Sequence, residues 1–274
     1  LGAPIAIDDP ADPRVAAFRD IRERDLVGRQ GRFVVEGTVV LRMLAAAHGK
    51  GRFRAETILV LENRLAGLAD ILSDFPDDVP IYVASAAVID AIAGFNMHRG
   101  VLAIGVRPEA GFDAQALIAG LPERALVLAG CGISNHDNAG SLFRNAAAFG
   151  ADAVMLDATS CDPLYRKALR VSVGSVLAVP YVREGDMLDL LGRLDAAGFA
   201  VWGLSPRGEV EIGDIPVSPR MALVMGTEGE GLPPAVMSRF RTARIAQRPQ
   251  LDSLNVAMAA GLALYRIAQL QGKI

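Results

Sequence analysis

The sequence predicts an α/β protein of two layered domains, the second built on a mostly parallel sheet. Three observations carry that expectation. The chain has 274 residues, 51% of them hydrophobic, which suits two cores better than one. Short apolar runs alternate with helix-length amphipathic stretches along the whole chain. In the second half the strand-like runs are apolar at nearly every position, as parallel strands covered on both faces require.

Residues 14–54 hold ten Lys or Arg against four Asp or Glu. Within them RVAAFRDIRERDLVGRQGRF reads as an amphipathic helix followed by a Gly-bearing turn. FVVEG is a short strand, and TVVLRMLAAAHGKG is a helix closed by Gly. TILVLE, IYVAS and GVLAIGV are strands, with LAGLADIL helical between the first two. These elements make a small α/β domain over residues 1–107. RPEAGFDAQALIAGLPER has Pro at both ends and little strand character, so residues 108–123 are read as a linker.

The second domain, residues 124–274, opens with the strand ALVLAG. NAGSLFRNAAAFG is a helix with Asn138 as its expected N-cap and Gly150 beyond its end. ADAVMLD is the next strand, followed by a polar loop through TSCDPLYRKALR. SVLAVPYV, GFAVWGLS and RMALVMG are three further strands, and DMLDLLGRLDAAG is a helix between the first two. The last helix runs from about Asp252 to Gln269 and is apolar nearly all round. It must be buried, either in the fold or in a subunit interface.

Composition narrows the function classes. The formal net charge is -3, which argues against a uniformly basic protein and leaves room for a local basic face. Cys131 and Cys161 stand far apart in no paired pattern, so neither a disulfide framework nor a zinc site is expected. His48, His98 and His136 have no ligand spacing, and no metal is expected. No apolar run approaches transmembrane length, and the acidic start LGAPIAIDDPADPR lacks the basic and apolar regions of a signal peptide. A cytoplasmic protein is the expectation.

Three clusters in the second half can carry chemistry, all at strand-to-helix junctions, where open α/β sheets bind ligands. The first, GCGISNHDNAGSLFRNAAAFGAD, places Asn138 at a helix start and Arg144 about a turn and a half further in. The guanidinium there can reach toward a phosphate; a cap and a solvated helix residue are the structural alternative. The second, MALVMGTEGEGLPPAV, runs a strand into Gly226, Glu228, Gly229 and Gly231. Glycines let backbone amides approach a ligand closely, although a Gly-rich turn with one exposed acid reads the same. It is neither a Walker loop nor a G-x-G-x-x-G dinucleotide loop. The third, RIAQRPQLDSLNVAMAAGLALYRI, opens the last helix with Ser253-Leu254-Asn255. Asp252 or Ser253 can be a simple N-cap, whereas an amide at Asn255 inside an apolar helix needs partners.

In order and spacing these clusters resemble the three motifs of the SpoU (TrmH-like) branch of the SPOUT methyltransferases. The first motif is matched by Asn138, Gly140 and Arg144. The second is matched by Gly226, Glu228, Gly229, Gly231 and Leu232, and the third by Ser253, Leu254, Asn255 and Val256. PLYRKALRVSVGSVLAVP is similar to the family's connecting segment, and the resemblance spans about residues 124–270. The first half resembles the substrate-binding domain often found before this catalytic domain, through DPRVAAFRDIRERDL, GRFVVEG and FNMHRGVLAI.

The resemblance implies a SPOUT-type parallel sheet with a C-terminal trefoil knot, preceded by a small ribosomal-protein-like α/β RNA-binding domain. It implies a homodimer and transfer of a methyl group from S-adenosylmethionine to a ribose 2′-hydroxyl in structured RNA, ribosomal RNA being favoured over transfer RNA. The implied catalytic set is Arg144, Asn138, Glu228, Ser253 and Asn255. The implied cofactor-binding set is Leu204, Gly226, Gly231, Ile245, Gln247 and Leu254. Arg144 is the family's candidate for assisting deprotonation, although a guanidinium is a poor base near neutrality and clamps a phosphate more easily. Arg19, Arg22, Arg24, Arg29 and Arg32 are the implied RNA-binding face. One departure stands out. The family's third motif usually begins Ile-Pro-Met, and here it reads Ile245-Ala246-Gln247. That change motivates a second reading, an RNA-binding protein of the same fold without catalysis.

Overall fold

A computed structural model gives the fold and describes residues 3–19, 23–94, 99–108, 112–248, 250 and 252–274. The chain divides into two compact units, Leu1–Gly111 with Leu164–Ala178, and Phe112–Pro163 with Val179–Ile274. Elements are numbered along the chain.

In the first unit, β1 (Ile5–Ala6), β2 (Arg32–Glu36), β3 (Arg54–Leu61), β4 (Ile81–Ala84) and β5 (Val101–Val106) form a mixed sheet in the order β1-β4-β3-β5-β2. β5 lies between β3 and β2 and runs antiparallel to both, while β1, β4 and β3 run parallel. Its interior place, with a strand on each side, suits the unbroken apolar run VLAIGV. Gly105 pairs across from Phe33, and a Cβ there would stand 2.2 Å from the Phe33 ring. The helices are α1 (Glu23–Gln30), α2 (Thr38–Gly49), α3 (Ala69–Leu72) and α4 (Ala86–Ala93). The basic stretch expected as one helix is instead a 3-10 turn, Pro13–Phe18, and then α1; residues 20–22 lie outside the described residues. Pro13 starts that turn, the Asp12 carboxylate accepts from the Arg14 amide, and Val15 and Phe18 are driven inward.

The first unit also includes α7 (Arg166–Val171) and α8 (Ser175–Ala178). The run SVLAVPYV, expected as one strand, divides here. The chain turns through Val173 and Gly174, at φ of 48° and 81°, then forms α8. Gly174 permits the close approach to α2, where a Cβ would lie 2.7 Å from Met43 Cγ. Only Tyr181–Arg183 is strand, and it belongs to the second unit.

That unit holds β6 (Ala125–Gly130), β7 (Ala153–Leu156), β8 (Tyr181–Arg183), β9 (Ala200–Leu204), β10 (Val210–Glu211), β11 (Arg220–Met225) and β12 (Arg241–Arg244). They pair in the order β10-β12-β9-β11-β6-β7-β8, parallel throughout. Ala125, Val127 and Ala129 of β6 face a core shared with α5 (Ala114–Ala119), α9 (Met187–Ala196) and α10 (Pro234–Arg239). Side chains alternate along a strand, so Leu126 and Leu128 point to the other face, where α6 (His136–Ala148) and α11 (Val256–Leu270) pack. All of β6 is buried, as a doubly covered parallel strand must be.

The boundaries differ from the expected 1–107, 108–123 and 124–274. The supposed linker contains α5, capped by the Asp113 carboxylate at 2.7 Å from the Ala116 amide nitrogen, with Ala114 and Ile118 buried in the second unit's core. Apolar burial on one face outweighed the flanking prolines.

Candidate active site

β9, β11 and β12 end at a cavity of about 440 Å³, within the size range of small-ligand sites. The loops after those strands build it. After β11, Thr227 and Gly231 exchange two backbone hydrogen bonds of 3.0 and 3.1 Å, closing the loop tightly. Gly229 and Gly231 have φ of 88° and 75°, a region that favours glycine. Gly226 is required for a different reason, since a Cβ there would lie 2.2 Å from the Gly231 carbonyl carbon. The loop after β9 is fixed from β12: Arg244 Nε donates to Glu211 at 2.8 Å and Nη1 donates to the Gly208 carbonyl at 2.8 Å. Gly208 has no room for a side chain against the Ala243 backbone. Sequence reasoning did not find Arg244 or Gly208. No local motif marks them, because their partners are more than 30 residues away.

The cavity wall includes Leu204, Gly226, Gly231, Ile245, Gln247 and Leu254, all expected as cofactor contacts, and also Glu228, Ser253 and Asn255. Its ionisable lining is mainly acidic, with Glu228, Glu230 and Asp252 against Arg207. Apolar surface comes from Met225, Leu232 and Met237 as well. The site therefore suits a ligand with an apolar body and a positive centre.

Two asparagines exchange their expected roles. Asn138 is inside α6 and 7% exposed; the N-cap is Asn135, whose side chain accepts from the Asp137 amide. Asn255 is the N-cap of α11, ahead of the helix, and its Oδ1 accepts from the Ala257 and Met258 amides. That replaces Asp252 and Ser253 as the expected start. The reason is competition among neighbouring polar residues, each of which can cap, settled by where the apolar face must begin.

The caps orient the site. Backbone amides only donate, so Asn255 must present oxygen to them and its Nδ2 elsewhere. That Nδ2 donates to Asn138 Oδ1 at 3.1 Å, and Asn138 Nδ2 in turn donates to Glu228 Oε1. The chain of donors has one direction and ends on the Glu228 carboxylate. Ser253 is exposed at the cavity edge. Arg144 is exposed on α6, outside the residues that line the cavity.

A second hub steadies the loop before α6. Asp157, 4% exposed at the end of β7, accepts from the Gly132 and Ser160 amides and from the Thr159 and Ser160 hydroxyls at 2.8–3.1 Å. Gly132 then sits against Thr227, where a Cβ would be 2.4 Å from Cγ2. The loops after β6 and β11 are thus locked together. Beside them, burial pushes the Cys131 thiol up to about 12, with the Asp157 charge adding to it, and burial also pushes Cys161 up to about 11.

Of the expected RNA face, Arg19 donates to the Asp12 carbonyl at 3.3 Å and Arg32 donates to Glu56 at 2.8 Å. Arg29 is exposed near the end of α1. Arg22 lies outside the described residues, and Arg24 is placed only by its backbone in α1. Among the described residues, no helix is long and apolar enough to cross a membrane, and no group of three His, Cys, Asp or Glu could hold a metal ion.

The parallel sheet and its cavity at the strand carboxyl ends define an α/β protein with a small-ligand cavity where such sheets carry one. Comparison with known proteins gives the family. Residues 125–265 match the SpoU rRNA Methylase family. A protein of Mycobacterium tuberculosis named as an uncharacterised tRNA/rRNA methyltransferase is 38% identical, over 94% of this chain and 89% of the relative. A 23S rRNA (guanosine-2′-O-)-methyltransferase of Acinetobacter baylyi is 30% identical, over 74% of this chain and 83% of the relative. The crystal structure of an AdoMet-bound rRNA methyltransferase from Sinorhizobium meliloti has the same fold, with a TM-score of 0.79, 24% identity and coverage of 97% and 98% of the two chains. The chain belongs to the SpoU rRNA methylase family of RNA methyltransferases, and its fold is the α/β fold of SPOUT methyltransferases.

Proposed function

We propose that this protein transfers a methyl group from S-adenosylmethionine to a ribose 2′-hydroxyl in structured RNA, with ribosomal RNA favoured over transfer RNA. The observation that carries the reading is the Asn255–Asn138–Glu228 chain of donors at the edge of an acidic, partly apolar cavity. When bound, S-adenosylmethionine supplies an activated methyl on a positively charged sulfur. The cavity fits it by chemistry: carboxylates suit the sulfonium and ammonium charges, and the apolar wall suits the adenosine. Leu204, Gly226, Gly231, Ile245, Gln247 and Leu254 would hold it. Ile245 and Gln247 line the cavity although the family's Pro and Met are replaced, which supports a catalytic reading over an idle one.

The chain's own residues then have three tasks. Glu228, held in place by Asn138, sets a carboxylate beside the cofactor site. Asn138, Ser253 and Asn255 align the ribose hydroxyl. Arg144, exposed and cationic, clamps the phosphate next to the reacting ribose and favours loss of the hydroxyl proton by lowering the charge cost of the developing oxyanion.

The first unit would hold the RNA in the manner of the family's substrate-binding domain, the C-terminal segment would be threaded as a trefoil knot, and the enzyme would act in the cytoplasm. A homodimer is supported by α11. Its inner face is buried, but Met258, Leu262 and Tyr265 are 59%, 45% and 46% exposed on the other, at the spacing of one helix face. The test is methyl transfer from labelled S-adenosylmethionine to ribosomal RNA. Arg144→Ala should lose transfer while keeping cofactor binding and assembly. Transfer at the wild-type rate would defeat the assignment of Arg144.

A further inference from the structure

The turn after β9 brings a cation to the wall of the acidic cavity. It consists of Ser205, Pro206, Arg207 and Gly208. The Gly208 amide donates to the Ser205 carbonyl at 2.9 Å, and Pro206, second in the turn, presets the backbone for it. The Ser205 hydroxyl accepts from the Arg207 amide at 3.2 Å. Both ends are tied to β12: the Ser205 amide donates to the Ala243 carbonyl at 2.9 Å, and the Glu209 amide donates to the Thr242 carbonyl at 3.2 Å. Arg207 therefore stands at the tip of a turn with little freedom, and it lines the cavity.

In the same unit Arg183, Arg193, Arg220 and Arg244 each donate to a carbonyl or a carboxylate of the chain. Among the described residues the Arg207 guanidinium has no ion pair and no hydrogen bond. It is exposed, so its donors are kept for solvent or a ligand. Among the described residues it is the one cation of the cavity lining, set against the carboxylates of Glu228, Glu230 and Asp252. S-adenosylmethionine has the reverse pattern: two positive centres, the sulfonium and the ammonium, and one carboxylate. In an acidic cavity that carboxylate is the group in need of compensation, because like charges at close range repel. A guanidinium meets a carboxylate with two parallel N–H donors. An RNA phosphate is the other anion within the function proposed, but the acidic lining repels a phosphodiester chain.

We propose that Arg207 binds the carboxylate of S-adenosylmethionine and so fixes the amino-acid end of the cofactor. The inference rests on the cofactor reading above and deepens it. None of Leu204, Gly226, Gly231, Ile245, Gln247 and Leu254 carries a positive charge, so the residues already assigned to the cofactor leave that end without a counter-ion. The rigid turn makes Arg207 a selective grip: it rewards ligands that carry the carboxylate and gives nothing to those that lack it.

The test is calorimetry on the full chain with ligands that share the adenosine. S-adenosylmethionine and S-adenosylhomocysteine have the carboxylate; decarboxylated S-adenosylmethionine and 5′-methylthioadenosine lack it. Arg207→Gln should weaken the two carboxylate ligands by about five- to ten-fold, the scale of one charge-assisted pair at an exposed residue. 5′-Methylthioadenosine should bind as it does to wild type. Decarboxylated S-adenosylmethionine, with two positive charges, should bind as well or better once the cavity loses its cation. Arg207→Lys keeps the charge and should restore most of the loss. A uniform loss over all the ligands would make Arg207 a support of the turn and overturn the proposal. Wild-type affinity of Arg207→Gln for the carboxylate ligands would also overturn it, and a flatter salt dependence of that variant's binding to a ribosomal RNA hairpin would then assign the residue to a phosphate. Wild-type protein that binds none of the ligands would instead overturn the cofactor reading and this site with it.

Discussion

Asn255→Asp separates the two jobs of one side chain. The aspartate keeps an oxygen for the Ala257 and Met258 amides, so the cap of α11 survives and gains about 0.3–1 kcal/mol from the helix dipole. It loses the donor to Asn138. A carboxylate oxygen then faces Asn138 Oδ1, and relief requires that amide to turn and present its oxygen to Glu228. The lost charge-assisted hydrogen bond is worth about 1.5–3 kcal/mol. Net of the dipole gain, the variant should be about 1–2 kcal/mol less stable, which lowers the melting temperature of a unit this size by about 2–8 °C. Methyl transfer should fall by about ten-fold or more, since about 1.4 kcal/mol of misplaced alignment is one decade in rate. Asn255→Ala loses the cap as well and should be less stable by about a further 1 kcal/mol. Calorimetric melting and labelled methyl transfer measure both. An Asn255→Asp protein with wild-type melting and wild-type turnover would refute the donor chain.

Three further outcomes follow from the geometry. Gly226→Ala should abolish S-adenosylmethionine binding by calorimetry, because a Cβ 2.2 Å from the Gly231 carbonyl carbon forces the Thr227–Gly231 loop out of place; retained binding would show that the loop does not form the cofactor wall. Leu262→Glu should shift the protein to a monomer by light scattering if the exposed face of α11 is the dimer contact; an unchanged mass would place the contact elsewhere. The raised thiols should be protonated at pH 8, so iodoacetamide should label buried Cys131 only after unfolding and Cys161 more slowly than a free thiol. The sign for stability is set by the same shift: unfolded thiols ionise near their ordinary value and the folded ones do not. Native stability should therefore fall as pH rises from about 9 toward 12. Rapid labelling of Cys131 in the native protein would contradict its burial.

Much of the second unit was legible because its strands are buried on both faces and its helices have one apolar face. ALVLAG and RMALVMG could hardly be anything else. The three junctions were legible as glycine and amide clusters; nine of the expected site residues line one cavity, and Asn138 is hydrogen-bonded to two of them. What failed was local choice. ISNHDN offers Asn135 and Asn138 as caps, and propensity cannot rank two asparagines three residues apart. SVLAVPYV has strand-forming residues, but packing of Gly174 against α2 and the break at Pro180 divide it. What was invisible was long-range charge. Glu36 lies tens of residues from Arg99, Arg166 and Arg170, as Arg244 does from its partners, and no periodicity in the sequence announces these contacts.

The central claim is that the methyl group goes to a ribose 2′-oxygen, and ribose-methylation mapping of total RNA from cells with and without this protein tests it most directly. The account predicts one or a few 2′-O-methyl positions that vanish with the protein, return with the wild-type chain and do not return with Arg144→Ala. An unchanged ribose map, or a lost methyl that maps to a base instead, would contradict it.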